Sequence, residues 1–257
     1  MTGTFTPAPG AAPLSRMVLA QARMESKLLL RNGEQLLLAV VIPVLVLVGM
    51  VRGAGRLGLD FDHRVVDVVT PGVLALAVMS TSFTSLAIAT AFERRYGILK
   101  RLGASPLPRA GLLAGKVAAL LVVEALQLLV LGLVGQLLGW SPSVSAASLV
   151  AGALAVLLGT FAFAALGLLM AGVLRAEATL AAANLVYLLL LAGGAVVVPA
   201  SAYGGFGHVA QWLPSGALGE AMRDAFVDGT VAWRDLAVLL CWAGVGTFTT
   251  TRTFSWE

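Results

Sequence analysis

A chain of 257 residues that is 59% hydrophobic and only 12% charged, with a mean hydropathy of +0.93, carries about half the charge of a soluble domain and reads as a polytopic membrane protein. In a soluble protein the net charge of +4 would suggest nucleic acid; here the Lys and Arg residues follow the tendency of basic loops to stay cytoplasmic, so no nucleic-acid partner is expected. The single cysteine, Cys241, lies in an apolar run, which excludes a disulfide framework and a cysteine-based metal site.

Residues 1–13 contain no Lys, no Arg and no apolar core, so they lack the features of a secretory leader; their Pro, Gly, Thr and Ala content predicts a short disordered tail. The remainder, 14–257, reads as a single all-α membrane domain. Over 14–32, Met17, Gln21, Met24 and Leu28 share one helical stripe, while Arg23, Lys27 and Arg31 share another. This predicts an amphipathic interfacial helix on an anionic membrane surface, with a solvated helix as the alternative.

Six apolar runs follow as expected transmembrane helices: 36–51, 68–91, 111–139, 149–174, 178–198 and 236–251. The first contains Pro43, expected to kink it, and the second is dotted with Ser80, Thr81, Ser82, Thr84 and Ser85, hydroxyls that let helices approach and hydrogen-bond. Between the first two runs, 52–67 has three Arg and three Asp among glycines and no periodicity, as in an exposed loop. Trp256, near the end of the chain, suits an interface. With both termini inside, the cytoplasmic segments hold 12 Lys and Arg residues and the outer ones 5, which fixes the expected orientation.

The densest charge lies at 92–109. Phe92, Tyr96, Leu99 and Leu102 recur at helical spacing, with Arg94, Arg95, Lys100 and Arg101 on other faces, and Pro106 and Pro108 stop the pattern. A short helix lying across the membrane surface is expected, either as a docking element or as a topological anchor. No nucleotide site accompanies it: Gly111-Leu-Leu-Ala-Gly115-Lys116-Val117 has three residues between its glycines instead of four, and Val where a phosphate loop needs Ser or Thr. His63 and His208 stand apart, so no metal site is expected.

Within the third run Glu124 is expensive in hydrocarbon, by about 2.5 to 3.5 kcal/mol on insertion scales. Gln127, three residues on, is its expected helix neighbour. Glu124 either contacts a polar or cationic substrate or a partner protomer in a central pathway, or fixes helix packing as a neutral acid; Asn184 and Tyr187 in the fifth run are lesser pathway candidates. The segment 199–234 is too polar and too rich in Gly and Pro to span. It forms either an outer re-entrant helical segment capping a cavity or a surface helix anchored by Phe206, Trp212 and Phe226.

Two patterns resemble a known family. Glu93-Arg94-Arg95-Tyr-Gly97, then Leu99-Lys-Arg-Leu and Ser105-Pro106-Leu-Pro108, is similar to the cytoplasmic loop between the second and third spans of ABC-2 type permeases. Trp212-Leu-Pro214, then Glu220-Ala-Met-Arg223 and Asp228-Gly229, resembles the outer segment before the last span of that family. Within that family the chain resembles the drug-efflux branch, similar to the daunorubicin-exporter membrane subunit. The resemblance implies that 92–109 is a cytoplasmic coupling helix seated on a separate ATPase through Glu93, Arg94, Arg95, Gly97, Lys100, Arg101 and Pro106. It also implies an outer gate involving Trp212, Pro214, Glu220 and Arg223.

The expected protein is therefore not an enzyme but the permease subunit of an exporter in a bacterial cell (inner) membrane, moving a hydrophobic or amphiphilic compound. ATP and Mg would bind to two copies of the ATPase, this chain would hold no cofactor, and the permease would form a homodimer or a heterodimer with a homologue. Export of a lipid-linked glycan is the alternative within transport. A stand-alone membrane enzyme or structural protein is the alternative of another class. Against an enzyme stands the lack of a clustered acid, His and nucleophile set, and against a stand-alone carrier the lack of two similar halves.

Overall fold

The computed structural model describes residues 12–56, 61–103 and 105–253. Residues 1–11 of the expected tail, the middle of the 52–67 loop, Ala104 and Trp256 lie outside the described residues. The described chain is all-helical, with 84% helix and no strand.

After α1 (Leu14–Arg31) and α2 (Gly33–Gly53), a rod is built from α3 (Val65–Met79), a π-helical segment (Ser80–Ser85) and α4 (Leu86–Arg95). Then come α5 (Ile98–Gly103), α6 (Arg109–Leu137), α7 (Ala146–Val173) and α8 (Ala176–Gly193). A 3-10 helix (Ala200–Phe206) leads to α9 (Gly207–Ala210), α10 (Pro214–Arg223), a second π segment (Asp224–Asp228) and α11 (Trp233–Thr253). Four helices are long and apolar enough to cross a membrane: Val65–Arg95, Ala110–Leu137, Ala146–Val173 and Ala176–Gly193. The apolar part of α2, Ala39–Gly53, is shorter.

The rod from Val65 to Arg95 is the axis of the fold. Every residue from Val68 to Met79 is buried, as a helix apolar on all sides requires, and α2, α6, α7 and α10 pack around it. Pro43 sits inside α2 and Pro71 inside α3 without ending either helix. The hydroxyl-rich stretch at 80–85 does not continue as regular α-helix. Its π turn frees backbone groups that Ser82 partly engages, its Oγ donating to Val78 O at 2.5 Å.

Two boundaries differ from the sequence expectation. The fifth apolar run does not stay helical to 198: α8 ends at Gly193, and 194–198 is irregular although Ala195, Val196 and Val197 are buried. Gly72 of α3 permits this, since a Cβ there would lie 2.5 Å from Val197 O. The basic stretch at 92–109 is not one helix. Its first residues finish α4, Gly97 turns the chain with φ +69°, and only the six residues of α5 form a separate short helix.

Within 199–234 the stretch Ala200–Phe206 has no buried residue, whereas α10 turns inward. In α10 all residues except Glu220 are buried, packed against α3, α7 and α11 instead of lying on the surface.

Candidate functional site

At the end of the bundle that carries α1 and α5, the charges of the basic stretch divide into two groups. Glu93 faces inward and accepts from Lys116 Nζ at 2.8 Å, while the same ammonium lies 3.0 Å from Glu25 of α1. Arg94 also turns inward, its guanidinium donating to the carbonyls of Gly172 and Leu174 and so capping the C-terminus of α7 with a cation. The exposed charges are Arg95, which pairs with Glu177 at the start of α8, and Lys100 and Arg101 of α5. Leu99 is 2% exposed and anchors α5, leaving Lys100, Arg101 and the 64% exposed Tyr96 outward. Gly97 is the turn between them and Pro106 is exposed beyond it. Of the seven coupling residues suggested by sequence, Glu93 and Arg94 thus serve internal contacts.

Deeper in the bundle, Glu124 and Gln127 are both buried, but they do not pair with each other. Glu124 Oε2 lies 2.6 Å from Thr160 Oγ1 on α7. Gln127 Oε1 accepts from Thr81 in the π segment at 2.8 Å, and its Nε2 donates to Ala39 O of α2 at 2.9 Å. Two residues within one turn of α6 therefore hold α2, the π segment and α7 by buried polar contacts. The hydroxyls of Thr81 and Thr160 are partners that sequence spacing did not expose, because they lie 46 and 36 residues away.

Asn184 and Tyr187 do come together with part of the π segment. They line a cleft of about 360 Å³ with Ser80, Thr84, Ser85 and Ile42, opening between α2, α4 and α8. The Tyr187 hydroxyl pairs with Ser80, and Asn184 Nδ2 donates to Leu180 O at 2.9 Å. The outward faces of the flanking helices are apolar: Val41, Ile42 and Leu45 on α2, and Leu185, Leu188 and Leu189 on α8, are all exposed. A cleft with a hydroxyl floor and apolar rims can hold a molecule with both polar and greasy parts.

At the opposite end, Arg223 is 5% exposed and forms a clamp on the irregular chain. It donates to Ala195 O at 3.0 Å, Val196 O at 3.1 Å and Val197 O at 3.4 Å, and pairs with Glu220 at 3.1 Å. Glu220 also accepts from Ala200 N at 2.9 Å. Burial alone would raise the Glu220 carboxyl, but Arg223 and the Ala200 amide outweigh it and hold Glu220 below its usual range. The clamp supplies donors to carbonyls released where α8 unwinds, including that of Ala195, which has a strained φ of 53°. Pro214 begins α10, and Trp212 is exposed, its carbonyl accepting from Trp242 Nε1 at 2.9 Å. Arg223 was singled out by sequence as a gate residue; its backbone partners carried no sequence signal.

Below the clamp, Asp224 and Asp228 meet Asp62 and His63 around a polar cavity of about 220 Å³. Burial first, and then the charges of Asp235, Glu220 and Asp228, push the Asp224 carboxyl up to about 6. Among the described residues there is no group of three or more His, Cys, Asp or Glu that could hold a metal.

Residues 62–251 match the family described as ABC-2 family transporter protein. The chain is also 26% identical over 167 residues, covering 65% of its own length and 68% of the relative, to the Bacillus subtilis (strain 168) protein named "Putative transport permease YvfS". The family match spans the π segment, the polar residues of α6, the cleft and the Arg223 clamp, and the chain belongs to the ABC-2 family of membrane transporter proteins.

Proposed function

We propose that this chain is the membrane subunit of an ATP-driven exporter for a hydrophobic or amphiphilic compound, with ATP and Mg bound by a separate ATPase. In this reading α2 and α11 complete six spans, and both termini face the cytoplasm of a bacterial cell (inner) membrane. Two copies, or this chain with a homologue, enclose the pathway, and two ATPase subunits sit beneath. The observation that carries the reading is α5: a short helix with Lys100 and Arg101 outward, set on a glycine turn directly after the central rod. A push on α5 reaches the π segment and the Ser80–Tyr187 cleft through that rod.

The cleft that Asn184 and Tyr187 line supports them as pathway residues. Glu124 and Gln127 hold the helices around it, and Trp212, Pro214, Glu220 and Arg223 form the outer cap. The test is reconstitution with a co-expressed ATPase. Lys100→Glu with Arg101→Glu should leave the permease in the membrane and abolish substrate-stimulated ATP hydrolysis; full stimulation in that variant would overturn the coupling role.

The hydroxyls of Ser80, Thr84 and Ser85 also suit the sugar head of a lipid-linked glycan, the second reading. Competition by amphiphilic drugs against a lipid-linked sugar in the same transport assay separates the two.

A further inference from the structure

Among the described residues, the charges most deeply buried at the α5 end belong to Lys116 and its two carboxylate partners, and they do not balance. Lys116 is 5% exposed and Glu25 8%, and Glu25 is already engaged by Gln21 Nε2 at 2.8 Å. Glu93 shares the same ammonium: its Oε1 is hydrogen-bonded at 2.8 Å, while its Oε2 is equally near but off the hydrogen-bond direction and has no other partner. Two carboxylates share one ammonium, so they have between them a single cationic partner, and a second cation would meet the one that Lys116 serves less well.

The three side chains line a cavity of about 170 Å³ between α1, α4 and α6, whose other walls include Leu28, Leu86 and Leu120. The cavity neighbours the cleft: Ser85 and Ala89 line both, and Ser85 also lines a small void walled by Thr81 and Leu120. A chamber with two carboxylates thus lies beside the hydroxyl-lined cleft along one side of α4.

We infer that this chamber is a binding site for the ammonium group of an organic cation, which takes Glu93 and Glu25 as counter-charges in competition with Lys116 and passes its apolar body towards the cleft. The inference rests on the transport reading of that cleft and adds where, and by what charge, a substrate is first held. Lys116 acts here as a resident competitor. An incoming ammonium that draws Glu93 from Lys116 loosens the last turn of α4, three residues before the turn at Tyr96 and Gly97. Glu93, Glu25 and Lys116 are positioned for recognition and take part in no bond making.

The test uses the full chain in phosphatidylcholine nanodiscs and rhodamine 6G, a cationic amphiphile whose binding is read by fluorescence anisotropy against empty discs. The wild type should bind it, with displacement by dodecylammonium but not by dodecanol. Combined Glu25→Gln and Glu93→Gln should weaken binding by about tenfold or more, and Lys116→Met should tighten it by a similar factor, because both carboxylates are then unopposed. Should Lys116→Met fail to fold, Lys116→Gln and the wild-type competition decide the question. No binding by the wild type, equal displacement by the alcohol, or weaker binding in the Lys116 variants would overturn the inference. The measurement needs no ATPase, so its failure is distinct from a failure of the exporter reading, which would show as lost ATP coupling.

Discussion

Replacing Arg223 should be the most damaging single change to the outer half of the protein. Arg223→Met keeps the length and apolar stem of the side chain but removes the donors to Ala195 O, Val196 O and Val197 O, two of them within 3.1 Å. These carbonyls belong to residues that are 0 to 4% exposed, so water cannot take over, and each orphaned group costs about 1–3 kcal/mol. Glu220 loses its counter-ion in the same step, and the left-handed Ala195 loses the contact that holds it. Such losses do not add fully, and we take the net at about 3–5 kcal/mol, the cost of breaking a buried pair. At about 2–4 °C per kcal/mol for a chain of this size, thermal unfolding followed by size-exclusion in detergent should shift down by about 6 °C or more. Arg223→Lys should recover little, because one ammonium cannot fork across adjacent carbonyls. Arg234→Ala is the control: its side chain is 53% exposed, and it gives up one pair with Asp235 at 2.9 Å and one bond to Gln211 at 3.1 Å while leaving the carbonyls of 195–197 served. An Arg223→Met protein as stable as Arg234→Ala would refute the clamp.

Three further outcomes follow from the same structure. Gly72→Ala should strongly destabilise the fold, because its Cβ would fall 2.5 Å from Val197 O, whereas Gly49→Ala in α2 meets nothing within 4 Å and should be neutral or stabilising by up to about 1 kcal/mol; thermal melts of the pair check this. Gln127→Leu strands Thr81 Oγ1 and Ala39 O at about 1–3 kcal/mol each, and a double-mutant cycle with Thr81→Val should show a coupling of about 1 kcal/mol, zero coupling denying the contact. Because the Asp224 carboxyl lies up at about 6 in the folded state, above its ordinary 3.8, the folded protein binds the extra proton, so its stabilising contribution is full at low pH and is lost as pH rises through about 6. Asp224→Asn should therefore raise the melting temperature relative to wild type at pH 7.5 and narrow that difference towards pH 4; an unchanged difference across this window would count against it.

Apolar runs are long-range statements that a sequence makes openly, and so the helices near 68–91, 111–139 and 149–174 were legible within a turn. What composition conceals is which neighbour satisfies a polar group. Ser80 to Ser85 announced close packing but neither the π turn nor the partners that reach it from other helices, such as Gln127 on α6. Glu93 and Arg94 looked like surface charges because their partners, Lys116 and the last carbonyls of α7, are 23 to 80 residues away. Lys116 itself drew notice only as a failed phosphate-loop lysine. Its partners Glu25 and Glu93 stand on α1 and α4, so nothing local in the sequence marked it as buried and paired. The unwinding at 194–198 was hidden because Ala195, Val196 and Val197 are as apolar as a span, and the irregular backbone there is made tolerable by the Arg223 clamp and by Ser215, whose hydroxyl donates to Gly194 O at 2.8 Å.

The central claim is that this chain supplies the pathway while a separate subunit burns ATP, linked through α5. The most direct measurement is ATP-dependent accumulation of a fluorescent amphiphile in inside-out proteoliposomes holding this chain with its co-purified ATPase. The account predicts accumulation only when both are present, and its loss in Lys100→Glu with Arg101→Glu while ATPase activity persists at its unstimulated rate. Accumulation by this chain alone, or undiminished accumulation in that variant, would contradict it.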